Sequence, residues 1–373
     1  MASRQLRDLS VDVRREVLLD LGDAARFNGW PDSETPGGHV PGALRVDAGW
    51  LAELEGLTRA RRLLNGRRAL LFGDDAAVEV AVGHLPDAER VHGAWSDWRG
   101  PRVSLPAKEL LMPARVVAAQ IDDFDIVEAC DAEDRDPDAA HILGARRLDT
   151  IALEGPPDWN AKPVAALRET LAQIGLTGRP VVVYGRDPMA AARCGLILIH
   201  AGLPDVRLLD GSWVGWVAQH RVVETGWQQV RTAEVGDADG ASPFATFDEV
   251  RKLMDDGAPD RLVSIRSLAE HRGEVSGYDW IAERGDLPGA RWGHAGDPAS
   301  FAAAFRYPDG TASPFEVELH WEGEGIDAAL QPVFYCGTGW RAAEAWFIAT
   351  ALGWRARVYD GGWLEWSARD AGR

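Results

Sequence analysis

Cysteine is scarce in this chain: Cys130, Cys194 and Cys336 are the three cysteines among 373 residues. Three cysteines cannot build a disulfide framework, and their spacing fits no zinc site. The sequence also lacks an apolar run of about 18 residues, the length that a membrane-spanning helix needs. Its start has no apolar signal-peptide core. These absences predict a protein of the reducing cytoplasm with no metal site.

Positive charge is in deficit as well, because 58 acidic residues against 40 lysines and arginines give a formal net charge of -18. Such a surface repels phosphate backbones and anionic lipids, so we expect neither nucleic acid nor a membrane as a partner. Hydrophobic residues make up 46% of the chain, which is typical of a globular protein. The length suffices for two or three domains.

Visible chemistry is concentrated around Cys336. Residues 331–335 form an apolar run typical of a buried parallel strand, and residues 341–352 carry apolar side chains at helical spacing. Gly337 and Gly339 permit unusual backbone angles in the loop between them. In such a loop, unpaired amide N–H groups and the positive helix end favour a thiolate, which is the nucleophilic form of cysteine.

One unit recurs three times along the chain. Its turn marker occupies residues 39–43, 141–145 and 286–290. Strand-like runs precede the marker at 17–21, 125–129 and 261–265, and others follow it at 69–72, 181–184 and 333–335. Each unit closes on a glycine and tryptophan mark, at 93–95, 211–213 and 362–363. The residues after the second strand are Gly73, Gly185 and Cys336, so only the third copy has a nucleophile there.

This order of elements, together with the Cys-x-x-x-x-Arg spacing of Cys336 and Arg341, resembles the rhodanese-type sulfurtransferases over nearly the whole chain. The resemblance implies an α/β fold of three tandem rhodanese-like domains, each a five-stranded parallel sheet flanked by helices. Alternating strands and helices independently predict parallel sheets. We place inactive domains at residues 1–107 and 108–235 and a catalytic domain at 236–373. A linker is expected at 232–242, followed by a helix at 246–256.

The resemblance also implies how the site works. Cys336 would take a sulfur atom from thiosulfate or polysulfide and hold it as a covalent persulfide, without a separate cofactor, for a small acceptor. The loop amides of Gly337, Gly339, Trp340 and Arg341 would bind the sulfur and its donor. For Arg341, binding an anionic donor and fixing the loop remain equally open. Arg266 is expected to form a structural ion pair.

The six-residue sequence Cys-Gly-Thr-Gly-Trp-Arg is typical of a smaller group of proteins than the rhodaneses in general. With Tyr278 and Trp280 upstream, it resembles a multidomain subgroup that includes the anaerobic ergothioneine-synthesising sulfurtransferases. This likeness implies Tyr278 as an acid/base group, Thr338 as a loop hydroxyl, and an imidazole carbon of hercynine as acceptor. The tryptophans of the third unit offer faces that attract quaternary ammonium groups, although packing is an equal interpretation for most of them.

Three other functions stay open at this point. A persulfide carrier or sensor would deliver sulfur to a partner protein, and a generic rhodanese would transfer sulfur from thiosulfate to cyanide. A Cys-x5-Arg phosphatase is the remote third, because its loop needs one more residue to encircle phosphate. Cys130 and Cys194 are interpreted as buried core thiols.

Overall fold

The computed structural model describes residues 4–131, 139–176, 178–227, 232, 241–294 and 305–370. The chain divides into two compact units, Met1–Lys108 and Glu109–Arg373. Most of the expected linker, at 233–240, lies outside the described residues. Among the helices of the described stretches, none has the length and apolar character needed to cross a membrane.

Three five-stranded parallel sheets share one strand order. When the strands of each sheet are numbered along the chain, their order across the sheet is first, fifth, fourth, second and third. In spatial order the first sheet contains Arg4–Gln5, Glu89–His92, Arg68–Phe72, Glu16–Asp20 and Leu44–Arg45. The second contains Leu111–Pro113, Val206–Asp210, Val181–Gly185, Asp125–Cys130 and Arg146–Asp149. The third contains Phe244–Ala245, Arg357–Tyr359, Val333–Tyr335, Leu262–Ser264 and Arg291–Trp292. The predicted α/β class with repeated parallel sheets is confirmed.

Helices connect the strands, as parallel pairing requires. Those of the first unit are Ala24–Phe27, Leu54–Leu64 and Asp75–His84. Those around the second sheet are Ala114–Ala119, Val164–Gln173, Pro188–His200 and Ser212–Ala218. Those around the third are Phe247–Asp255, Leu268–His271, Pro314–Gly323, Trp340–Ala351 and Gly362–Asp370. A small antiparallel pair joins His141–Ile142 to Val223–Glu224.

Strand register places the loop residues of the three sheets at equivalent points. Phe72 pairs with Asp20 and Tyr335 with Ser264 as the last pairs of their central strands. In the second sheet Tyr184 pairs with Glu128, and the ladder continues for one more pair, Gly185 with Ala129. Gly73, Gly185 and Cys336 come directly after those paired residues. The loops therefore leave their sheets at the same place, where ligands of parallel sheets bind.

Element ends differ from the sequence prediction in two places. The strand expected at 331–335 begins at Val333, because Gln331 takes a left-handed conformation with φ of 50° and Pro332 has no N–H to donate to the ladder. The strand expected at 261–265 spans Leu262–Ser264. The helix expected at 246–256 spans Phe247–Asp255 and begins at a capping box, in which Thr246 and Glu249 exchange hydrogen bonds.

Tryptophan mostly serves packing in the third sheet region. Trp321 is fully buried and packs against Phe334 and Trp354, with ring centroids 5.0 and 5.3 Å apart. Trp363 and Trp366 belong to the buried core on one face of the sheet. For the four tryptophans Trp321, Trp354, Trp363 and Trp366, the structure supports the packing interpretation.

Candidate active site

The Cys336 loop folds back on its own sulfur. The Gly339 N–H donates to Cys336 Sγ at 3.2 Å, and the Cys336 side chain is fully buried. Gly339 needs to be glycine because its φ is +90°, which L side chains rarely adopt. Backbone N–H groups of Trp363 and Leu364 donate to the carbonyls of Cys336 and Gly337 at 2.8 and 3.1 Å. The backbone of the loop is thus fixed from both ends.

Arg341 forms a buried two-pronged ion pair with Glu270. Its Nη1 and Nη2 donate to the two Glu270 oxygens at 2.8 and 2.9 Å, and Nη2 also donates to the Tyr278 hydroxyl at 2.9 Å. Burial works against an ionised Glu270, but Arg341 outweighs burial and holds the Glu270 pKa at about 2. Burial raises the pKa of the Tyr278 phenol, an effect that Arg341 partly offsets. Of its two open roles, this geometry favours fixing the loop.

Glu270 was missed by the sequence analysis. It accepts a hydrogen bond from the Ser267 N–H at 2.8 Å and lies 3.4 Å from the guanidinium of Arg266. The sequence does contain a signal, because Ser267 and Glu270 have the spacing of a capping box shortly after the strand Leu262–Ser264. Arg266 forms the expected ion pair, and its guanidinium also lies over the Trp363 ring at 5.2 Å from the centroid.

Tyr278 lies against the loop at Gly337. A Cβ built on Gly337 would sit 2.3 to 2.5 Å from the Tyr278 ring and hydroxyl, so only glycine leaves room for the phenol. Trp280, whose side chain is exposed, stands beside Tyr278 at 5.4 Å, and Trp159 stands 6.2 Å from Trp280. The structure therefore brings three aromatic rings to one side of the Cys336 loop.

We expect Gly337→Ala to displace Tyr278 and to lower sulfur transfer to any acceptor held by that ring. The added methyl group overlaps the phenol, and a misplacement of about 1 Å can reduce a rate about 100-fold. Steady-state kinetics of the purified variant measures the loss. Gly323→Ala is the matched control, because nothing lies within 4 Å of a Cβ at Gly323. Equal rates for Gly337→Ala and wild type would show that Tyr278 takes no part.

Groups preceding the third sheet in the chain also reach the loop, and the sequence analysis missed them. Glu154 accepts hydrogen bonds from Trp340 Nε1 and Arg193 Nε, each at 2.6 Å. Arg193 in turn donates to Asp360 at 2.6 Å. Burial raises the Glu154 pKa against the lowering effect of the Arg193 charge. No local sequence signal marks this cluster, because its members are far apart in the chain.

The remaining candidates take simpler places. Thr338, two residues after Cys336 in the chain, is buried, with 7% of its surface exposed. Burial raises the pKa of the Cys194 thiol and also that of Cys130, although Arg147 Nε donates to Cys130 Sγ at 3.3 Å. High thiol pKa values oppose nucleophilic reactivity. Within the described residues, no cluster of three potential metal ligands occurs.

The sequence profile of the rhodanese-like domain matches residues 113–219 and 246–369, which contain Cys336 and four of the five strands of both the second and the third sheet. The chain belongs to the rhodanese family. It is 35% identical over 381 residues to the thiosulfate sulfurtransferase YnjE of Escherichia coli, covering 94% of this chain and 86% of that protein. As a rhodanese it is a sulfurtransferase, as the sequence predicted.

Several solved structures resemble it along almost the whole chain. The crystal structure of YnjE has a TM-score of 0.86 at 34% identity and covers 95% of this chain and 91% of that one. A persulfide form of EanB with ergothioneine has a TM-score of 0.85 at 31% identity, covering 95% and 94%. An anaerobic ergothioneine biosynthesis enzyme from Chlorobium limicola, solved with trimethyl histidine, has a TM-score of 0.84 at 31% identity, covering 95% and 93%.

Proposed function

We propose that this rhodanese moves sulfane sulfur through a persulfide on Cys336 to a small acceptor, and that the acceptor carries an imidazole ring. The observation that carries the proposal is the buried Cys336 thiol, which receives the Gly339 N–H at the start of a helix. Such an arrangement stabilises negative charge on sulfur. The persulfide needs no further cofactor, and a cytoplasmic location stays a prediction.

In the loading step, the Cys336 thiolate attacks the sulfane sulfur of polysulfide or thiosulfate. A new S–S bond forms as the S–S bond of the donor breaks, and the shortened polysulfide or sulfite leaves with the electron pair. The persulfide sulfur that results is anionic. The Gly339 N–H, which donates to Cys336 Sγ, and the positive end of the helix would stabilise it without reorganising.

In the transfer step, an imidazole carbon forms a bond to the outer sulfur while the persulfide S–S bond breaks, returning Cys336 as a thiolate. The ring carbon loses its proton while a ring nitrogen gains one, so the number of protons is unchanged. A thione results without an external oxidant, because the sulfane sulfur is reduced as it bonds to carbon and the cysteine sulfur leaves with the electron pair of the S–S bond. A proton donor beside the ring assists such a step. The Tyr278 phenol is suited to this task, since its raised pKa keeps it protonated.

Two features support an imidazole-bearing acceptor with a quaternary ammonium group. The exposed Trp280 face beside Tyr278 offers about 0.5 to 2 kcal/mol to such a cation. EanB was solved as a tyrosine variant with a persulfide on a cysteine 59 residues later. It was also solved with hercynine as a variant of the threonine two residues after that cysteine. Here Tyr278 precedes Cys336 by 58 residues, and Thr338 follows it by two.

We expect Tyr278→Phe to lower thione formation from hercynine and polysulfide at least 10-fold while sparing thiosulfate-to-cyanide transfer, which needs no proton donor. Chromatographic detection of the thione and a thiocyanate assay measure the two reactions on the same preparations. Absence of thione with wild-type protein, together with unchanged cyanide transfer in the variant, would reduce the function to that of a generic rhodanese.

A carrier or sensor that passes sulfur to a partner protein is the second candidate. It requires an accessible nucleophile ringed by exposed apolar surface. The Cys336 side chain has no exposed surface, and Tyr278 packs against the next residue of the loop, Gly337. Burial of this kind favours a small acceptor that enters the site over a protein surface that docks on it.

A further inference from the structure

The second rhodanese-like domain has Gly185 where the third has Cys336, yet its side chains reach the Cys336 loop. Arg193 lies in the helix Pro188–His200, which follows the Gly185 loop and packs against the helix Trp340–Ala351. Its side chain is fully buried. Two of its hydrogen bonds stay within the second domain, and the third reaches Asp360 of the third domain.

Each of the three nitrogens of the Arg193 guanidinium donates a hydrogen bond. Nε donates to Glu154 at 2.6 Å, Nη1 to Asp360 at 2.6 Å, and Nη2 to the Trp159 carbonyl at 3.1 Å. The two carboxylates raise the pKa of Arg193 above its usual value despite burial, so the charge is retained. A planar fork with three fixed acceptors holds one geometry, which the flexible point charge of lysine cannot reproduce.

This cluster abuts the group that donates to the sulfur. A Cβ built on Gly339 would lie 2.8 Å from Arg193 Nη1 and 3.2 Å from the Asp360 carbonyl oxygen. The Gly339 N–H is the one that reaches Cys336 Sγ at 3.2 Å. Glu154 meanwhile holds the indole N–H of the next residue, Trp340, at 2.6 Å. The second domain therefore bounds the loop at two successive residues.

Asp360, which belongs to the same cluster as Arg193 and Glu154, connects the second domain to the backbone of the loop. The Ala161 N–H donates to Asp360 Oδ2 at 2.8 Å, so Asp360 is bound by two groups of the second domain. Three residues beyond Asp360, the Trp363 N–H donates to the Cys336 carbonyl at 2.8 Å. Displacing Asp360 would thus disturb the backbone of Cys336 itself.

We propose that Arg193 and Glu154 are positioning residues for the reaction at Cys336, so that the second domain forms part of the active site. They hold the Gly339 N–H on the sulfur, where it stabilises the thiolate that attacks the donor and the thiolate that leaves on transfer. This inference rests on the proposed role of Cys336. It assigns a task to a domain that lacks a nucleophile.

Arg193→Lys and Glu154→Gln test the proposal. We expect each variant to load sulfur about 10- to 100-fold more slowly at saturating polysulfide, because a small shift of Gly339 misaligns the donor. We also expect the midpoint of the pH profile of Cys336 alkylation to move upward, because a weaker N–H contact stabilises the thiolate less. A role in stability alone would leave this midpoint unchanged.

Arg306→Lys is the matched control. Arg306 forms another buried pair, in which its Nε donates at 2.6 Å to Oε1 of Glu344, a residue of the helix Trp340–Ala351. We expect its alkylation midpoint and its loading rate at saturating polysulfide to match wild type. The charged and titratable groups that bind loop residues or one another there include Arg341, Tyr278, Glu270, Arg193, Glu154 and Asp360.

Wild-type alkylation midpoints in both test variants would overturn the proposal, whatever their loading rates. Glu154→Gln keeps the side-chain shape, so it gives a result even where Arg193→Lys fails to fold. Alkylation needs no sulfur donor, and so it tests the positioning independently of the reaction. If wild-type protein takes up no sulfur at Cys336, the proposed function fails, whereas an unmoved midpoint rejects the positioning role alone.

Discussion

Replacing Cys336 with serine should abolish sulfur transfer. We expect kcat to fall by at least about 1000-fold, as when a covalent nucleophile is removed. A serine hydroxyl remains protonated beside the Gly339 N–H and forms no persulfide. Steady-state turnover with thiosulfate and cyanide, and with polysulfide, measures the effect.

Cys194→Ala is the control for this substitution. Its thiol is fully buried in the helix Pro188–His200, and burial raises its pKa, so we expect transfer to continue near the wild-type rate. Full turnover in Cys336→Ser, or loss of turnover in Cys194→Ala with a folded protein, would contradict the assignment of the nucleophile.

Arg341→Met should destabilise the fold by about 3 to 5 kcal/mol, because removing one partner of a buried ion pair leaves the other charge without its main counterion. Here that charge is Glu270, whose side chain is fully buried. The Tyr278 hydroxyl loses its hydrogen-bond donor as well. Urea unfolding at neutral pH gives the free energy of unfolding, and kinetics on the folded fraction should show slower transfer.

An exposed pair of the same geometry provides the comparison. Arg357 donates to the two oxygens of Glu249 at 2.8 and 3.0 Å, and this contact too holds the Glu249 pKa at about 2. Both side chains are more than 40% exposed. We expect Arg357→Met to cost about 1 kcal/mol or less. Equal costs for the two substitutions would show that the burial of Arg341 does not govern its contribution.

The sequence predicted the sheets, and it singled out Cys336 as the candidate nucleophile, because the signals for both are local. The apolar strand before Cys336, the two glycines and the helical spacing after it lie within about 20 residues, and each follows from backbone conformation or periodicity. Repetition of the same order made the three sheets recognisable. The exact strand ends were less predictable. Gln331 lies outside the strand because its backbone is in a left-handed conformation, which its residue type does not reveal.

The partners of the loop were hidden because they are distant in the chain. Arg341 and Glu270 are 71 residues apart, Arg193 and Asp360 are 167 apart, and Trp340 and Glu154 are 186 apart. A carboxylate in one strand-to-helix connection gives no sign of which arginine it will meet. The tryptophans show the reverse problem, because composition suggested a cation site for residues such as Trp321 that are simply core.

Peptide mass spectrometry after exposure to polysulfide or thiosulfate tests the central claim most directly. The protein is incubated with donor without reductant, digested under acid conditions that preserve persulfides, and mapped at its three cysteines. The account predicts one or more added sulfur atoms on the Cys336 peptide, lost when a competent acceptor is supplied, and none on the Cys130 and Cys194 peptides. Sulfur retained at Cys130 or Cys194 with an unmodified Cys336 would contradict it.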